Sequence, residues 1–373
     1  MTSRERMRNL IQGKNIDRVV LTTLIDNGTR PGFSGEYKNL PAIEFYNKIG
    51  YDIFCFGNGG LENSPVALPV YPYSVNYAHE TSMGAEGDQS VIEQKIGKRS
   101  VKQIHKNGRI LKYNAETAAD LKTLIDIYEA AECVVFAGEE LAKSKKSLRD
   151  FESYIGEGGI YAATLNASGV QTLIEYECGL ANFYYLLSDE PELMERAIEA
   201  VQNLRRKEYA AIAENMDVEM IIPVENTSTL LTSPEIYRKY TLGHIREYTE
   251  IAHKFKKKSV IHMCGHLKGL LKEFKEAKID GIHALTPPEI GDCPLEHALD
   301  ALGEDLFAVA VFCSEFIQDP KATRESIDGY VKSALFPRIK RARIMHWVQC
   351  DGIPTPIWKF EAVREAVEKY GRL

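Results

Sequence analysis

Short apolar runs rich in β-branched and aromatic residues recur along this chain, and helix-like segments separate most of them. Eight runs read as buried strands: Val19–Leu24, Asp52–Phe56, Ile160–Thr164, Met220–Val224, Ser259–His262, Gly281–Leu285, Leu306–Phe312 and Ile344–Val348. They are short and run into Gly, Asn, Pro or Cys within three residues, as strands buried on both faces do. The segments between carry helix punctuation. Ser233, Pro234 and Glu235 supply an N-cap, a helix-compatible proline and an acidic first turn. Thr355 with Pro356 repeats the device before a helix to Tyr370 that Gly371 can end. Leu267, Leu270, Leu271 and Phe274 form one apolar helix face.

Strand and helix alternating in this way imply a parallel sheet with helical crossovers. Eight strands fit a closed (β/α)8 TIM barrel better than an open sheet, and the expectation is one distorted barrel domain spanning 1–373. No Gly-x-Gly-x-x-Gly follows the first strand and no Gly-Lys-Ser/Thr loop occurs, so the usual nucleotide fingerprints of open sheets are missing. The first 150 residues are less regular. The stretch from Gly60 to Gly108 reads as long loops or a hairpin over one barrel end, an elaborated N-terminal region.

Composition narrows the class. Of 373 residues 44% are hydrophobic, enough for a large core, and the net charge of −7 offers nothing to nucleic acid. The run Lys254, Lys256, Lys257, Lys258 reads as a solvated helix end. Met1 to Asn9 is too polar for a signal peptide, and no apolar run approaches the roughly 20 residues that span a bilayer. Seven scattered cysteines suggest reduced thiols and a cytoplasmic protein rather than a disulfide framework.

In a barrel, reactive side chains stand at the C-terminal ends of strands. Those positions here hold Asp26, Asn27, Asn58, Asn166, Glu225, Asn226, His262, Cys264, His283, Cys313 and Cys350. The sharpest local feature is His262-Met263-Cys264-Gly265-His266. On a strand His262 and Cys264 share a face, and an imidazole with a thiolate is a pair zinc favours. Gly265 allows a tight turn beside them. Cys350 ends the last strand, which in a closed barrel adjoins the first, so it could join the other two. Three protein ligands with one open position define a catalytic rather than a structural zinc site. The alternative is that these cysteines are core residues, since free Cys is among the most buried types.

At these motifs the sequence resembles the uroporphyrinogen decarboxylase superfamily, and within it the zinc-dependent, corrinoid-linked methyltransferases. Thr2-Ser3-Arg4-Glu5-Arg6 with Asp17-Arg18-Val19 looks like the family's first helix and strand. The Ser233-Pro234-Glu235 helix start follows a strand in the expected place. His262-Met263-Cys264-Gly265-His266 looks like the His-x-Cys-Gly zinc motif, and Cys350-Asp351-Gly352-Ile353-Pro354 with the closing helix looks like the C-terminal end. The likeness is strongest from Glu225 onward.

The resemblance implies a distorted barrel with Zn2+ at its mouth, held by His262, Cys264 and Cys350, and a corrinoid (cobalamin) supplied by a partner corrinoid-binding protein. It implies methyl transfer between that corrinoid and a small thiol or a methylated substrate such as a methoxylated aromatic. Glu225 and His283 are the candidate catalytic residues; Glu225 could also complete the zinc shell or cap a helix. His283 stands where the resemblance implies an acidic residue. The metal-free decarboxylases bind a porphyrinogen through an arginine-rich segment, of which residues 26–33 keep only Arg30. One guanidinium serves a multiply anionic ligand poorly. A non-catalytic zinc- or corrinoid-binding protein is the remaining alternative.

Overall fold

The computed structural model describes residues 1–61, 63–350 and 352–373. Its strands are β1 (Val20–Thr23), β2 (Ile53–Phe56), β3 (Tyr73–Asn76), β4 (Glu80–Glu86), β5 (Gln89–Ile96), β6 (Arg99–Lys106), β7 (Arg109–Lys112), β8 (Glu132–Val135), β9 (Gly159–Leu165), β10 (Met220–Pro223), β11 (Lys258–His262), β12 (Gly281–Leu285), β13 (Phe307–Val311) and β14 (Arg343–Val348). Eight of them form one parallel sheet in the order β1-β14-β13-β12-β11-β10-β9-β2. Every run expected from the sequence is one of those eight, and the (β/α)8 barrel is the architecture observed.

Side chains alternate between two cores. Val20, Phe54, Ile160, Ala162, Met220, Ile222, Val260, Val309, Met345 and Trp347 fill the barrel interior. Met7, Leu10 and Ile11, from the helix Ser3–Ile11, join them and plug the N-terminal end. The alternate positions, among them Leu21, Ile53, Ile221, Ile261, Ile282, Ala308 and Ile344, pack outward against the helices.

Between β1 and β2 no ladder forms among the described residues. A charged tie bridges the seam instead. The Asp52 amide donates to the Leu21 carbonyl at 2.8 Å, and the Leu21 amide donates to the Asp52 carboxylate at 3.0 Å. Asp52 is wholly buried and accepts from Arg6 Nη1 at 2.7 Å and Arg18 Nη1 at 2.8 Å. Arg6 also binds Asp17 at 2.7 Å, which holds that carboxyl down at about 2.

The stretch after β2, expected as long loops or a hairpin, holds more regular pairing than that. β3 pairs with β8, and β4 to β7 form a four-stranded antiparallel meander. Its connections are the two-residue turns Gly87-Asp88, Gly97-Lys98 and Asn107-Gly108, with φ of 66°, 58° and, in the last, 51° and 75°. Such pairs favour tight hairpins, because a leading glycine, or both residues of Asn-Gly, supplies the positive φ that these turns need. Apolar alternation failed to reveal the strands because every residue of β4 is exposed. The meander leans on the helix Ala118–Glu129, where Val101 is buried and Arg99 pairs with Asp126.

Candidate functional site at the barrel mouth

The ends of β10, β11 and β12 are knitted at one level. The amides of Glu225 and Asn226 both donate to the His262 carbonyl, at 3.0 and 3.1 Å, and the Met263 amide donates to the His283 carbonyl at 3.0 Å. Three non-glycine residues at or just beyond the ends of β10, β12 and β13 take left-handed backbone: Asn226 (φ 48°), Ala284 (φ 62°) and Cys313 (φ 60°). Each such residue stores on the order of 1–3 kcal/mol, and such strain clusters at functional sites. Gly265, at φ 106°, makes the turn after Cys264 where a side chain would press on Ser228 Oγ at 3.2 Å.

Inside the mouth the rings of His262 and His283 meet, Nδ1 to Nδ1, at 2.7 Å. Burial pushes His262 down to about 4, and burial with the neighbouring imidazole pushes His283 down as well. Both rings are therefore neutral near pH 7, and in the contact one nitrogen donates while the other accepts. Aromatic rings wall the pair: Phe56 stands 4.3 Å and Trp347 5.1 Å from His283, and Phe56 stacks on His262 at 6.3 Å. His283 Nε2 and Trp347 Nε1 are buried and lack a hydrogen-bond partner among the described residues.

Glu225 lies beneath this surface, fully buried. Its two oxygens accept from the Ser168 amide at 2.7 Å and the Ser168 hydroxyl at 2.9 Å. Burial raises its carboxyl to about 7, while the two Ser168 bonds pull the other way. Arg205, paired with Glu208 at 2.6 Å, donates to the Ala167 carbonyl at 3.2 Å and braces the same turn from behind. Nearer solvent, Glu175 is half-buried; it accepts from Gln171 Nε2 at 2.8 Å and Asn226 Nδ2 at 3.4 Å. Asn226 Oδ1 lies 3.9 Å from the Cys264 thiol.

The structure thus brings His262, Cys264, Glu225 and His283 to one end of the barrel. Cys264 is exposed, whereas Cys350 is 1% exposed and belongs to the outer core with Cys313 and Val348. Among the described residues no group of three or more His, Cys, Asp or Glu stands close enough to share an ion. Donor chemistry suits zinc, two neutral imidazoles and a thiol, but the set His262, Cys264 and Cys350 is not assembled. Asp351, next to Cys350, lies outside the described residues. Sequence reading missed Ser168, Glu175 and Phe56. Ser168 precedes Gly169 just after a strand, a helix-start signal that could have drawn attention to the loop. Glu175 had none, because it reaches the mouth on the π-helical turn Leu173–Glu177.

Residues 165–289 match the family profile of uroporphyrinogen decarboxylase (URO-D). That segment runs from the end of β9 through Glu225, His262, Cys264 and His283. Among solved structures, the chain is similar to a methyltransferase from Methanosarcina mazei, with 14% identity, 99% of each chain covered and a TM-score of 0.58. It is more distantly similar to a D-psicose 3-epimerase from Clostridium cellulolyticum H10, with 10% identity, 63% and 83% covered and a TM-score of 0.34. No curated protein matches the chain in sequence. The resemblance to the uroporphyrinogen decarboxylase superfamily expected from the motifs is borne out, and at this identity the structural likeness speaks for the fold.

Proposed function

We propose that this chain, a barrel of the uroporphyrinogen decarboxylase type, is a zinc-dependent methyltransferase. It acts in the cytoplasm as a single-domain enzyme and moves a methyl group between a corrinoid on a partner protein and a small thiol or methylated substrate. One observation carries the reading. The matched segment 165–289 is the part of the barrel that gathers the neutral His262–His283 pair, Cys264 and two carboxylates at one mouth. The methyltransferase from Methanosarcina mazei that shares the fold supports the reaction class.

His262 and Cys264 are the residues offered to zinc, and Cys350, buried in the outer core here, would join them as third ligand only by a rearrangement of the loop that carries it. When bound, zinc acidifies a thiol or polarises an ether oxygen, and a corrinoid carries the methyl group. The chain's own contribution is orientation and exclusion of water. His283 fixes the His262 ring through the 2.7 Å contact, as an outer partner of a metal-binding imidazole does. Phe56 and Trp347 close one side with apolar surface. Glu225, clamped by Ser168, holds the loops after β9 and β10 together.

Metal analysis of protein purified under reducing conditions tests the first half of this: about one zinc per chain is expected. Cys264→Ala and Cys350→Ala should each lose most of it while the barrel still folds. Full occupancy in Cys350→Ala removes Cys350 from the site. The second half is tested by the absorbance change between methylcobalamin and cob(I)alamin. Methylcobalamin is offered with a panel of thiols, and cob(I)alamin with methoxylated aromatics. Full zinc with no transfer in either direction leaves the non-catalytic binding protein standing.

A further inference from the structure

Methyl transfer to a thiol, or from an ether, moves one proton as well as one methyl group, and the structure points to where that proton goes. Glu225, the acid legible in the sequence, is sealed: wholly buried, both oxygens engaged by Ser168. Glu175 is a half-exposed carboxylate at the mouth. It is held from two sides, by Gln171 Nε2 at 2.8 Å and Asn226 Nδ2 at 3.4 Å. Gln171 is itself 1% exposed, so its end of the arrangement is rigid. Asn226 is locked by its left-handed backbone and by the hydrogen bond its backbone N–H donates to the His262 carbonyl, and its Oδ1 faces the Cys264 thiol. The π-helical turn Leu173–Glu177 sends Glu175 toward the mouth and Glu177 into the protein, where Asn114 and Tyr128 each bond it at 2.7 Å. Such turns are uncommon and frequently sit at functional sites.

We propose that Glu175 is the proton-transferring acid–base of this site, a role that rests on the methyltransferase reading above. With a thiol acceptor, the S–H bond breaks, the proton passes to a Glu175 oxygen, and sulfur forms its bond to the methyl carbon. The electron pair of the broken cobalt–carbon bond stays with the corrinoid co-reactant. With a methyl ether, the O–CH3 bond breaks as the methyl carbon takes a pair from the reduced corrinoid, and the departing oxygen collects its proton from Glu175. The two directions are one step reversed, and atoms and charge balance in both.

The experiment compares wild type with Glu175→Gln, which keeps the shape and one acceptor oxygen but cannot ionise. Methyl transfer to cob(I)alamin is followed across methoxyarenes whose phenol products run from acidic nitrophenols to unsubstituted phenol. Glu175→Gln should lower kcat about 10²- to 10³-fold for the least acidic leaving group and little for the most acidic, with zinc content and melting temperature unchanged. An equal loss across the series, or no loss, overturns the proposal. A second readout does not depend on turnover. Wild type should bind a phenol or thiol more tightly than its methylated counterpart in calorimetry, and Glu175→Gln should erase that preference. A preference that survives in Glu175→Gln, or no binding of either ligand to wild type, also overturns it. Failure of all cobalt-linked transfer in wild type, with this preference intact and Glu175-dependent, sinks the methyltransferase reading instead.

Discussion

On β14 the outward-facing side chains are Ile344, His346 and Val348, and the middle one is an imidazole set among hydrocarbon. His346 is 1% exposed, rests 4.7 Å from the Phe312 ring, and has no hydrogen-bond partner for either nitrogen among the described residues. A buried polar group left unpaired costs on the order of 1–3 kcal/mol. His346→Leu, similar in bulk, is therefore expected to raise stability by about 1 kcal/mol in urea denaturation at pH 7.5. Burial also lowers this group from its ordinary 6.5 to about 4 in the folded protein. Between those values the unfolded chain binds the proton that the folded one refuses. Its contribution is whole above pH 6.5 and is lost as pH falls toward 4. The variant should accordingly show a shallower decline between pH 6.5 and 4; an unchanged slope would mean that His346 finds a partner or water in solution.

At the level of elements, the weak place is the seam between β1 and β2, where Asp52 replaces a ladder. It joins Arg6 of the first helix, Arg18 before β1 and the Leu21 amide through one buried carboxylate. Removing one member of a buried pair costs about 3–5 kcal/mol because the other charge stays desolvated. Asp52→Ala should fall near the lower end, since Arg6 keeps Asp17. Chemical denaturation measures the loss, and a change under 1 kcal/mol would show that the plug helix closes the barrel by itself. Elements also differ in how plainly they announce themselves. The barrel strands are apolar on both faces and end in turn residues, so runs such as Gly281–Leu285 are legible at once. β4 is exposed throughout, and only the turn pairs of the meander, above all Asn107-Gly108 between β6 and β7, betray it.

For the whole molecule, the question is which ligand the mouth can accept. Arg30 is the single arginine in residues 26–33, and its Nη1 already donates to the Leu40 carbonyl at 2.7 Å. A porphyrinogen bearing many carboxylates needs several such partners. The purified protein is therefore expected not to decarboxylate uroporphyrinogen. Accumulation of coproporphyrinogen, abolished by Arg30→Ala, would overturn both this and the methyltransferase proposal. No helix among the described residues is long and apolar enough to cross a membrane.

What the sequence determined by itself was set by local rules: strand period, helix caps, and the glycine that turns the chain after Cys264, whereas β11 ends at His262 and leaves Cys264 beyond the strand. Those rules act over a few residues, so eight strands, their helices and the His-x-Cys-Gly turn could all be read before any fold was known. Which side chains meet is decided by the closure of the sheet, which no local rule encodes. Only the tertiary structure set His283 against His262, buried Glu225 under Ser168, turned Glu175 outward and left Cys350 in the outer core. Side chains one residue apart on β14 enter different cores, so a shift of a single position at a strand end moves a ligand from the mouth to the helices.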